Sequence, residues 1–355
     1  MLEHSTMKKN SKGIERREKL IAKAKSEIET FARSIGFDLV GFSQAKIDKK
    51  YFDIYKKWLG KGMNAGMEYM AKSAQRKDAS KILPNAKTVI SLGINYFHPQ
   101  ENQKLSQEEG IIARYAYGRD YHKIISKKLK QLEAYMKEKF PNDFTKSYVD
   151  TGPILERAYA ETSGLGQIGK NGCIITKTFG SWIFLSEIIT TVELTTGIGQ
   201  ESFRTNIPQA PLVAGRGRLK ETFLTNSICG SCTRCIDACP TKAIIAPGII
   251  DARKCISYQT IENKGHIPKR VADAIKKTKR IFGCDICQEV CPHNMGKQKI
   301  TTHSEFLQRI AGDKIPIKKI LTIKSDEEFL HTYAGSPLMR AKLRKLASTA
   351  KIIAS

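Results

Sequence analysis

The chain has 355 residues, of which 41% are hydrophobic and 27% are charged, a composition that excludes a mostly disordered, collagen-like or repeat-only protein. It contains no run of about 18 apolar residues, so no transmembrane helix is expected. The 60 Lys and Arg residues against 35 Asp and Glu residues give a net charge of +25, which favours a polyanionic partner such as nucleic acid.

The excess positive charge is concentrated at the two ends of the chain. Residues 1–90 carry 20 basic and 10 acidic side chains and residues 265–355 carry 18 and 8, so each end has a net charge of +10. A Lys-rich solvated surface would explain the same numbers, because the sequence has no RNA-binding signature of the sheet-stacking or GXXG type. The N-terminal residues lack the apolar segment of a secretory or twin-arginine signal, which predicts a cytoplasmic location.

The first half of the chain predicts a domain of mixed helices and strands. Apolar residues at helical spacing predict a helix from about Ile14 to Ile35, and we expect residues 1–13 to be disordered or not native. The further predicted elements are strands at 37–42, 88–97 and 111–118, a helix at 121–140 ended by Pro141, a strand at 147–150, a helix from Pro153 with Gly164 past its end, and two strands joined by a turn near Gly180.

Eight of the nine cysteines form the strongest pattern in the chain. The segment CGSCTRCIDACP has the spacing C-x2-C-x2-C-x3-C-P, in which three thiolates bind one [4Fe-4S] cluster and the fourth crosses to another. Two clusters need eight thiolates, and the chain supplies eight. The predicted ligands are Cys229, Cys232, Cys235 and Cys291 for the first cluster, and Cys239, Cys255, Cys284 and Cys287 for the second.

Zinc and disulfides are the alternatives for these cysteines. Zinc sites usually draw ligands from two separate CxxC units, and disulfides are uncommon in a chain without a secretion signal. Cys173 stands outside the pattern and is interpreted as a buried, small apolar residue. The 228 residues before Cys229 exceed what an electron carrier needs. They predict an acceptor for the electrons, with a ferredoxin-type carrier as the other hypothesis.

The loop GLGQIGKNG (164–172) matches both GxGxxG and GxxxxGK. Nucleotide-binding loops of either type follow a strand and open a helix. Here a predicted helix precedes the loop and a predicted strand follows it, and Asn171 stands where a P-loop has Ser or Thr, so nucleotide binding is disfavoured. The loop could instead let the backbone approach a flat, bulky cofactor, or serve as a helix C-cap followed by a turn.

Five segments together resemble the epoxyqueuosine reductase family, and the resemblance covers roughly residues 15–345. They are YVDTGPILERAYAETSGLGQIGKNGCIIT, FGSWIFLSEIITTVEL, CGSCTRCIDACPTKAI, APGIIDARKCISYQTIENKG and FGCDICQEVCPHN. The expected fold class is α+β. The expected parts are an N-terminal cobalamin-binding α/β catalytic domain (14–194), a connector or insertion (195–228), a bacterial ferredoxin-like module with two [4Fe-4S] clusters (229–295) and a short basic helical tail (296–355).

The resemblance also implies a reaction. A cobalamin-dependent enzyme would reduce the epoxide of epoxyqueuosine, at the wobble position of a tRNA anticodon, to the cyclopentene of queuosine. Its clusters would be reduced by an external electron donor such as a flavodoxin or ferredoxin, and no membrane partner is expected. Cobalamin would be bound without a protein ligand below the cobalt, consistent with Ile125 standing where the Asp-x-His-x-x-Gly motif that begins at Asp120 requires glycine. Reductive dehalogenation and simple electron transfer are the alternative functions.

Carried onto this sequence, the family's proton donor falls on Asp150. An opening epoxide develops an alkoxide that needs an acid, and Asp150 would serve if burial near the corrin raised its pKa; Asp285 is the next candidate acid. The alternative is that Asp150 caps the helix predicted to open at Pro153. The implied cobalamin contacts are Asp150, Ile174, Ser257, Cys284, Asp285 and Arg76.

Overall fold

A computed structural model describes residues 2–71, 74–99, 106, 108–195, 227–296 and 298–355. The helices are α1 Leu2–Ser34, α2 Lys49–Gly60, α3 Glu68–Ala71, α4 Tyr121–Lys139, α5 Glu156–Thr162, α6 Arg234–Ala238, α7 Ile256–Ile261, α8 Lys269–Thr278, α9 Ile286–Glu289, α10 Ser304–Leu307, α11 Ile317–Thr322, α12 Asp326–Tyr333 and α13 Lys342–Ala354. The strands are β1 Leu39–Gln44, β2 Thr88–Asn95, β3 Glu109–Ile112, β4 Thr145–Tyr148, β5 Gln167–Ile168, β6 Ile174–Ile175, β7 Ile183–Thr190, β8 Ile244–Ala246, β9 Ile249–Ile250, β10 Arg280–Phe282 and β11 Lys314–Pro316.

The larger sheet has four strands in the order β1-β2-β7-β4, and every neighbouring pair is antiparallel. All eight residues of β2 are buried, because apolar groups cover both faces of the sheet. One face packs on α1 and α4, and includes Ile90 and Leu92 of β2. The other face packs on α5 and on the β5–β6 hairpin, and includes Val89. The sheet is therefore the middle layer of a three-layer arrangement.

The smaller sheet joins three regions of the chain. Its middle strand, β3, pairs in parallel with β10 of the cysteine-rich region and antiparallel with β11 of the C-terminal region. Helices α8, α11 and α13 pack around it in one apolar cluster that includes Ile281, Ile320 and Leu346, each 0% exposed. The C-terminal region, predicted as a basic helical tail, thus also contributes a strand and part of the core.

The predicted α+β class is confirmed, with differences at several element boundaries. Helix α1 begins at Leu2, earlier than the predicted start at about Ile14; residues 2–13 contain no proline and include Leu, Lys and Met, which favour helix. Strand β3 ends at Ile112, where a 3-10 helix, Arg114–Ala116, follows. The predicted connector at 195–228 lies outside the described residues except for 195, 227 and 228.

Helix α5 also begins later than predicted, at Glu156 instead of Pro153. Its predicted C-terminal end is confirmed, since Gly164 follows it with a φ of 82°, a conformation that glycine adopts without a steric penalty. The two strands around Gly180 are present as β6 and β7. In the described part of the chain, no helix is both long and apolar enough to cross a membrane.

The burial of Leu346 on α13 predicts how its substitution changes the stability of the protein. Leu346→Ala should destabilise the protein by about 2–5 kcal/mol, because it leaves a cavity in a fully buried cluster. Leu330→Ala, on the neighbouring helix α12 where the residue is 52% exposed, should change stability by less than about 0.5 kcal/mol. Urea unfolding of the two variants measures the difference. Equal midpoints for both variants would mean that α13 is not part of the cooperative core.

Candidate active site and iron-sulfur ligands

The four cysteines predicted to bind the first cluster lie around one cavity. Cys229, Cys232, Cys235 and Cys291 line a space of about 130 Å³ together with Lys170 and Pro292. Burial, followed by the charges of the other three thiolates, raises the pKa of Cys235 to about 11. Four thiolates this close need a cationic group to remain ionised, and an iron-sulfur cluster is such a group.

The four cysteines predicted to bind the second cluster also lie together. The negative charge of Cys239 raises the pKa of Cys255, and the negative charge of Cys255 raises the pKa values of Cys284 and Cys287. Burial is the largest cause of the raised pKa of Cys284, which reaches about 12. Cys173 is the ninth cysteine, and its charge acts on Cys287 as well. Electrostatic interactions therefore connect the cysteines of the second predicted set, and the charges of both Cys291 and Cys255 act on Cys173, which lies near both sets. The assignment of the eight cysteines to two clusters stays a prediction.

The glycine-rich loop between α5 and β6 contacts both sets of cysteines. The backbone N–H of Lys170 donates to Cys229 Sγ at 3.4 Å, and its Nζ donates to the carbonyl of Cys232 at 2.9 Å. Asn171 Nδ2 donates to the carbonyl of Cys287 at 3.4 Å. The predicted order of helix, loop and strand is confirmed, and it differs from that of nucleotide-binding loops. This loop supports the cysteine segments instead.

Asp150 lies directly after β4, in a backbone conformation that few residues other than glycine adopt. Its φ is 57°, a left-handed value that costs free energy and is commonly associated with functional sites. Its Oδ2 accepts a hydrogen bond from the Tyr121 hydroxyl at 2.9 Å and lies 3.2 Å from His122 Nε2. Both partners belong to the first turn of α4, which Asp120 caps through its contact with the His122 N–H.

Two neighbouring side chains determine the charge state of Asp150. Desolvation raises its pKa, but the hydrogen bond and charge of His122 and the hydroxyl of Tyr121 outweigh that effect and lower it. Desolvation likewise lowers the pKa of His122, but Asp120 and Asp150 outweigh it and raise that pKa to about 9. These partners hold the pKa of Asp150 below its usual value, and the raised pKa expected beside a corrin stays a prediction. At neutral pH the imidazole carries the proton and the carboxylate is ionised.

Asp150 does not cap the following helix. The N-cap residue of α5 is Leu155, which makes no side-chain capping bond, and the Asp150 carboxylate points to Tyr121 and His122 instead. The side chain of Asp150 is 57% exposed. It is therefore accessible to a ligand from solution.

Asp285 borders the same region as Asp150 from the side of the second cysteine set. Burial is the largest cause of its raised pKa, which is about 6, and its Oδ2 accepts a hydrogen bond from the Arg114 N–H at 2.6 Å. The charges of Asp150 and Asp285 both act on Tyr115, so this tyrosine lies near both carboxylates. Ser257 is half-buried, and its backbone N–H stabilises the Cys255 thiolate.

The other two predicted cobalamin contacts lie on the α5 side of the larger sheet. Ile174 is 3% exposed and belongs to the same apolar cluster as Ile154. Arg76 is 8% exposed, and its Nη1 donates to the carbonyl of Ile154 at 2.9 Å. Its Nε is buried and has no hydrogen-bond partner within the described part of the chain. Arg76 therefore tethers the segment after Asp150 and retains one unused donor.

Three residues near Asp150 were not selected from the sequence as site residues: His122, Glu156 and Glu187. Burial, then the charge of Asp150, raises the pKa of Glu156 to about 7. Glu187 is 0% exposed in the middle of β7. An acidic residue within the otherwise apolar segment IFLSEIIT was the available signal, because a buried carboxylate without a partner is costly.

The fold and the grouped cysteines define the class of this protein, an iron-sulfur oxidoreductase with a separate domain that presents a carboxylate. The family described as Epoxyqueuosine reductase QueG, DUF1730 matches residues 76–151, and the family described as 4Fe-4S double cluster binding domain matches residues 228–294. The epoxyqueuosine reductase of Synechocystis sp. is 37% identical over 83% of this chain and 92% of its own length. That of Gloeobacter violaceus is 35% identical over 93% and 96%.

Solved structures of epoxyqueuosine reductases are also similar to this chain. An epoxyqueuosine reductase crystallised with an epoxyqueuosine-modified tRNA-Tyr stem loop has a TM-score of 0.78 and 30% identity, over 94% of this chain and 81% of that one. The Bacillus subtilis enzyme, with its catalytic aspartate loop swung out of the active site, has a TM-score of 0.76 and 29% identity over the same shares. The chain belongs to the epoxyqueuosine reductase family, and it is an oxidoreductase with two [4Fe-4S] clusters.

The grouping of the cysteines predicts the effect of single substitutions on iron content. Cys255→Ser should lower the iron content of anaerobically purified protein from about eight atoms to about four, since it removes a ligand of the second cluster only. Cys173→Ser is the matched control, because this neighbouring cysteine leaves both sets of four complete, and it should retain about eight atoms. Iron analysis and electron paramagnetic resonance measure both variants. Loss of a cluster in Cys173→Ser would contradict the assignment.

Proposed function

We propose that this chain reduces the epoxide of epoxyqueuosine in a tRNA anticodon to the cyclopentene of queuosine, with cobalamin and two [4Fe-4S] clusters as cofactors and Asp150 as proton donor. The observation that carries the proposal is the position of Asp150: an accessible carboxylate that shares a region with Asp285, the residue after Cys284. The relative crystallised with a modified tRNA stem loop supports the substrate. A tRNA substrate also implies a cytoplasmic location.

The residues present fit a bound cobalamin. The buried, unused Nε of Arg76 and the half-buried Ser257 are polar groups suited to the amide side chains of a corrin. His122 has both ring nitrogens engaged, by Asp120 and Asp150, which fits a cobalamin without a protein ligand below the cobalt. Arg76, Ile174, Ser257 and Asp285 would hold the cofactor. In its Co(I) form, cobalamin would supply a strong nucleophile for an epoxide carbon.

Proton delivery is the task of the protein in this reaction. The oxygen of an opening epoxide develops negative charge, and a positioned acid accelerates such a step. The proton shared by Asp150 and His122 lies on Nε2 at neutral pH, 3.2 Å from Asp150 Oδ2. We infer that His122 returns this proton to Asp150 when charge develops on the substrate, and that Asp150, as the more exposed of the two, donates it.

Electrons would enter through the first cluster. Its cysteine segment includes the exposed residues Gly230, Ser231 and Arg234, whereas the ligands of the second cluster lie beside Asp285, nearer Asp150. The positive charges of Lys170 and Arg234 lie at the first cluster. They favour a negatively charged donor, such as a flavodoxin or ferredoxin, as the external reductant.

Asp150→Asn tests the proposal by separating electron delivery from chemistry. The amide keeps nearly the same shape but cannot donate a carboxyl proton, so turnover of epoxyqueuosine tRNA should fall by roughly 10²- to 10⁴-fold. Iron content, cobalamin binding and reduction of the cobalt should be unchanged. Asp53→Asn, at a carboxylate on α2 that is 48% exposed, is the control and should retain turnover. Near wild-type turnover of Asp150→Asn would mean that another group is the acid.

The charge of the chain makes a prediction about tRNA binding. Contact with about six phosphates would weaken the affinity by roughly 10³-fold between about 50 and 200 mM salt, because bound Lys and Arg displace counterions from the phosphates. Fluorescence anisotropy of a labelled epoxyqueuosine stem loop measures this slope. The same stem loop with an unmodified wobble base should show the same slope at lower affinity. An affinity independent of salt would exclude an electrostatic tRNA surface.

A further inference from the structure

Glu187 is a buried acid that the proposed reaction does not yet use. It is 0% exposed, and on its face of β7 the residues two positions away are Leu185 and Ile189. Neither carboxyl oxygen has a hydrogen-bond partner among the described residues. Burial, followed by the charge of Glu156, raises the pKa of Glu187 well above its usual value. The surroundings of Glu187 therefore favour the protonated form of its carboxyl group.

Glu156 is the partner of Glu187. It is the first residue of α5, the helix that covers this face of the sheet, and its Oε1 is buried without a partner in the part of the chain that the structure describes. When one proton lies between the two side chains, Glu187 and Glu156 hydrogen-bond to each other. Ser91 Oγ, opposite Glu187 on β2, is a further buried polar atom that lacks a partner there.

The pair is directly linked to Asp150. The backbone N–H of Asp150 faces the Glu156 carboxylate and lowers its pKa, as do the charges of Arg157 and Arg76. The negative charge of Asp150 raises the pKa values of both Glu156 and Glu187. Three carboxyl groups thus share one site, in which His122, Arg157 and Arg76 are the cations that act on them.

Folding stability alone does not account for this pair. Placing a carboxyl group without a cationic partner in an apolar layer costs free energy, and apolar residues of similar size at such positions are often neutral or stabilising. Strand β7 already pairs with β2 along its whole length and with β4 from Glu187 to Thr190. The chemistry that remains for the pair is the storage of a proton.

We propose that Glu156 and Glu187 are a proton reserve that acts through Asp150, and that they supply the second proton of the reduction. This inference rests on the proposed role of Asp150. Removal of an epoxide oxygen breaks two C–O bonds and consumes two electrons, which the clusters deliver, and two protons. One proton converts the opened oxygen to a hydroxyl, and the other lets that oxygen leave as water. Asp150 and His122 hold one proton, and the buried pair holds the other.

The first test is infrared spectroscopy of the full-length protein with its cofactors. A protonated carboxyl band should persist at about pH 8, above the pKa of about 7 of Glu156, shift when the protein is labelled with ¹³C-glutamate, and disappear in Glu187→Gln. Ser91→Ala is the matched control, because it alters the neighbouring buried side chain without removing a carboxyl group, and it should retain the band. Absence of a glutamate band at about pH 8 in the wild type would overturn the proposal.

The second test is the pH profile of turnover. Glu187→Gln should lower kcat roughly tenfold at about pH 8 and much less at about pH 6, where the solvent supplies protons, with KM for tRNA unchanged. Glu187→Asp should restore part of the loss, and Glu156→Gln tests the same point if Glu187→Gln does not fold. An unchanged kcat profile in a variant that has lost the band would overturn the proposal. A different result would contradict the proposed role of Asp150: the Asp150→Asn variant would retain turnover while its infrared band stays intact.

Discussion

The pairing of β3 with β10 is the interaction on which the arrangement of the site depends. The Ala113 N–H donates to the carbonyl of Phe282 at 2.8 Å, and one residue later the Arg114 N–H donates to Asp285 at 2.6 Å. These bonds fix the segment that contains Cys284, a member of the second cysteine set, against the segment that leads into α4. Tyr115 follows at once, near both Asp150 and Asp285. One strand pair thus determines how close the clusters lie to the proposed proton donor.

The electrostatics of the site follow from which polar groups are buried beside Asp150. His122 and Tyr121 stabilise its carboxylate from the side of α4, whereas Glu156 lies at its backbone from the side of α5. The side chains on α4 and α5 affect the pKa of Asp150 in opposite directions. The His122 imidazolium favours the ionised carboxylate, whereas the negative charge of a nearby acid favours the protonated form. A carboxyl group held between these influences can take up and release a proton with little reorganisation.

The role of the glycine-rich loop depends on the elements that precede and follow it. Its spacing matches two nucleotide-binding patterns, but it follows a helix and precedes a strand, so its N–H groups do not lie at a helix N-terminus where phosphate binds. Lys170 and Asn171 instead contact both cysteine sets. Hydrogen bonds to cluster sulfurs are one of the means by which proteins adjust reduction potentials.

The sequence by itself determined the cysteine spacing, from which the two ligand sets are predicted, because the intervals within a cysteine motif are local along the chain. It also determined β2, a short apolar segment that indicates a buried strand, and α4, whose apolar residues recur at helical spacing. Only the tertiary structure decided the charge state of Asp150, since its partners His122 and Tyr121 are 28 and 29 positions away and no local pattern relates them. The same holds for β11 and α13, which complete a sheet and a core begun about 200 residues earlier. Contacts of this kind depend on how distant segments pack, and a periodicity read along one segment does not contain that information.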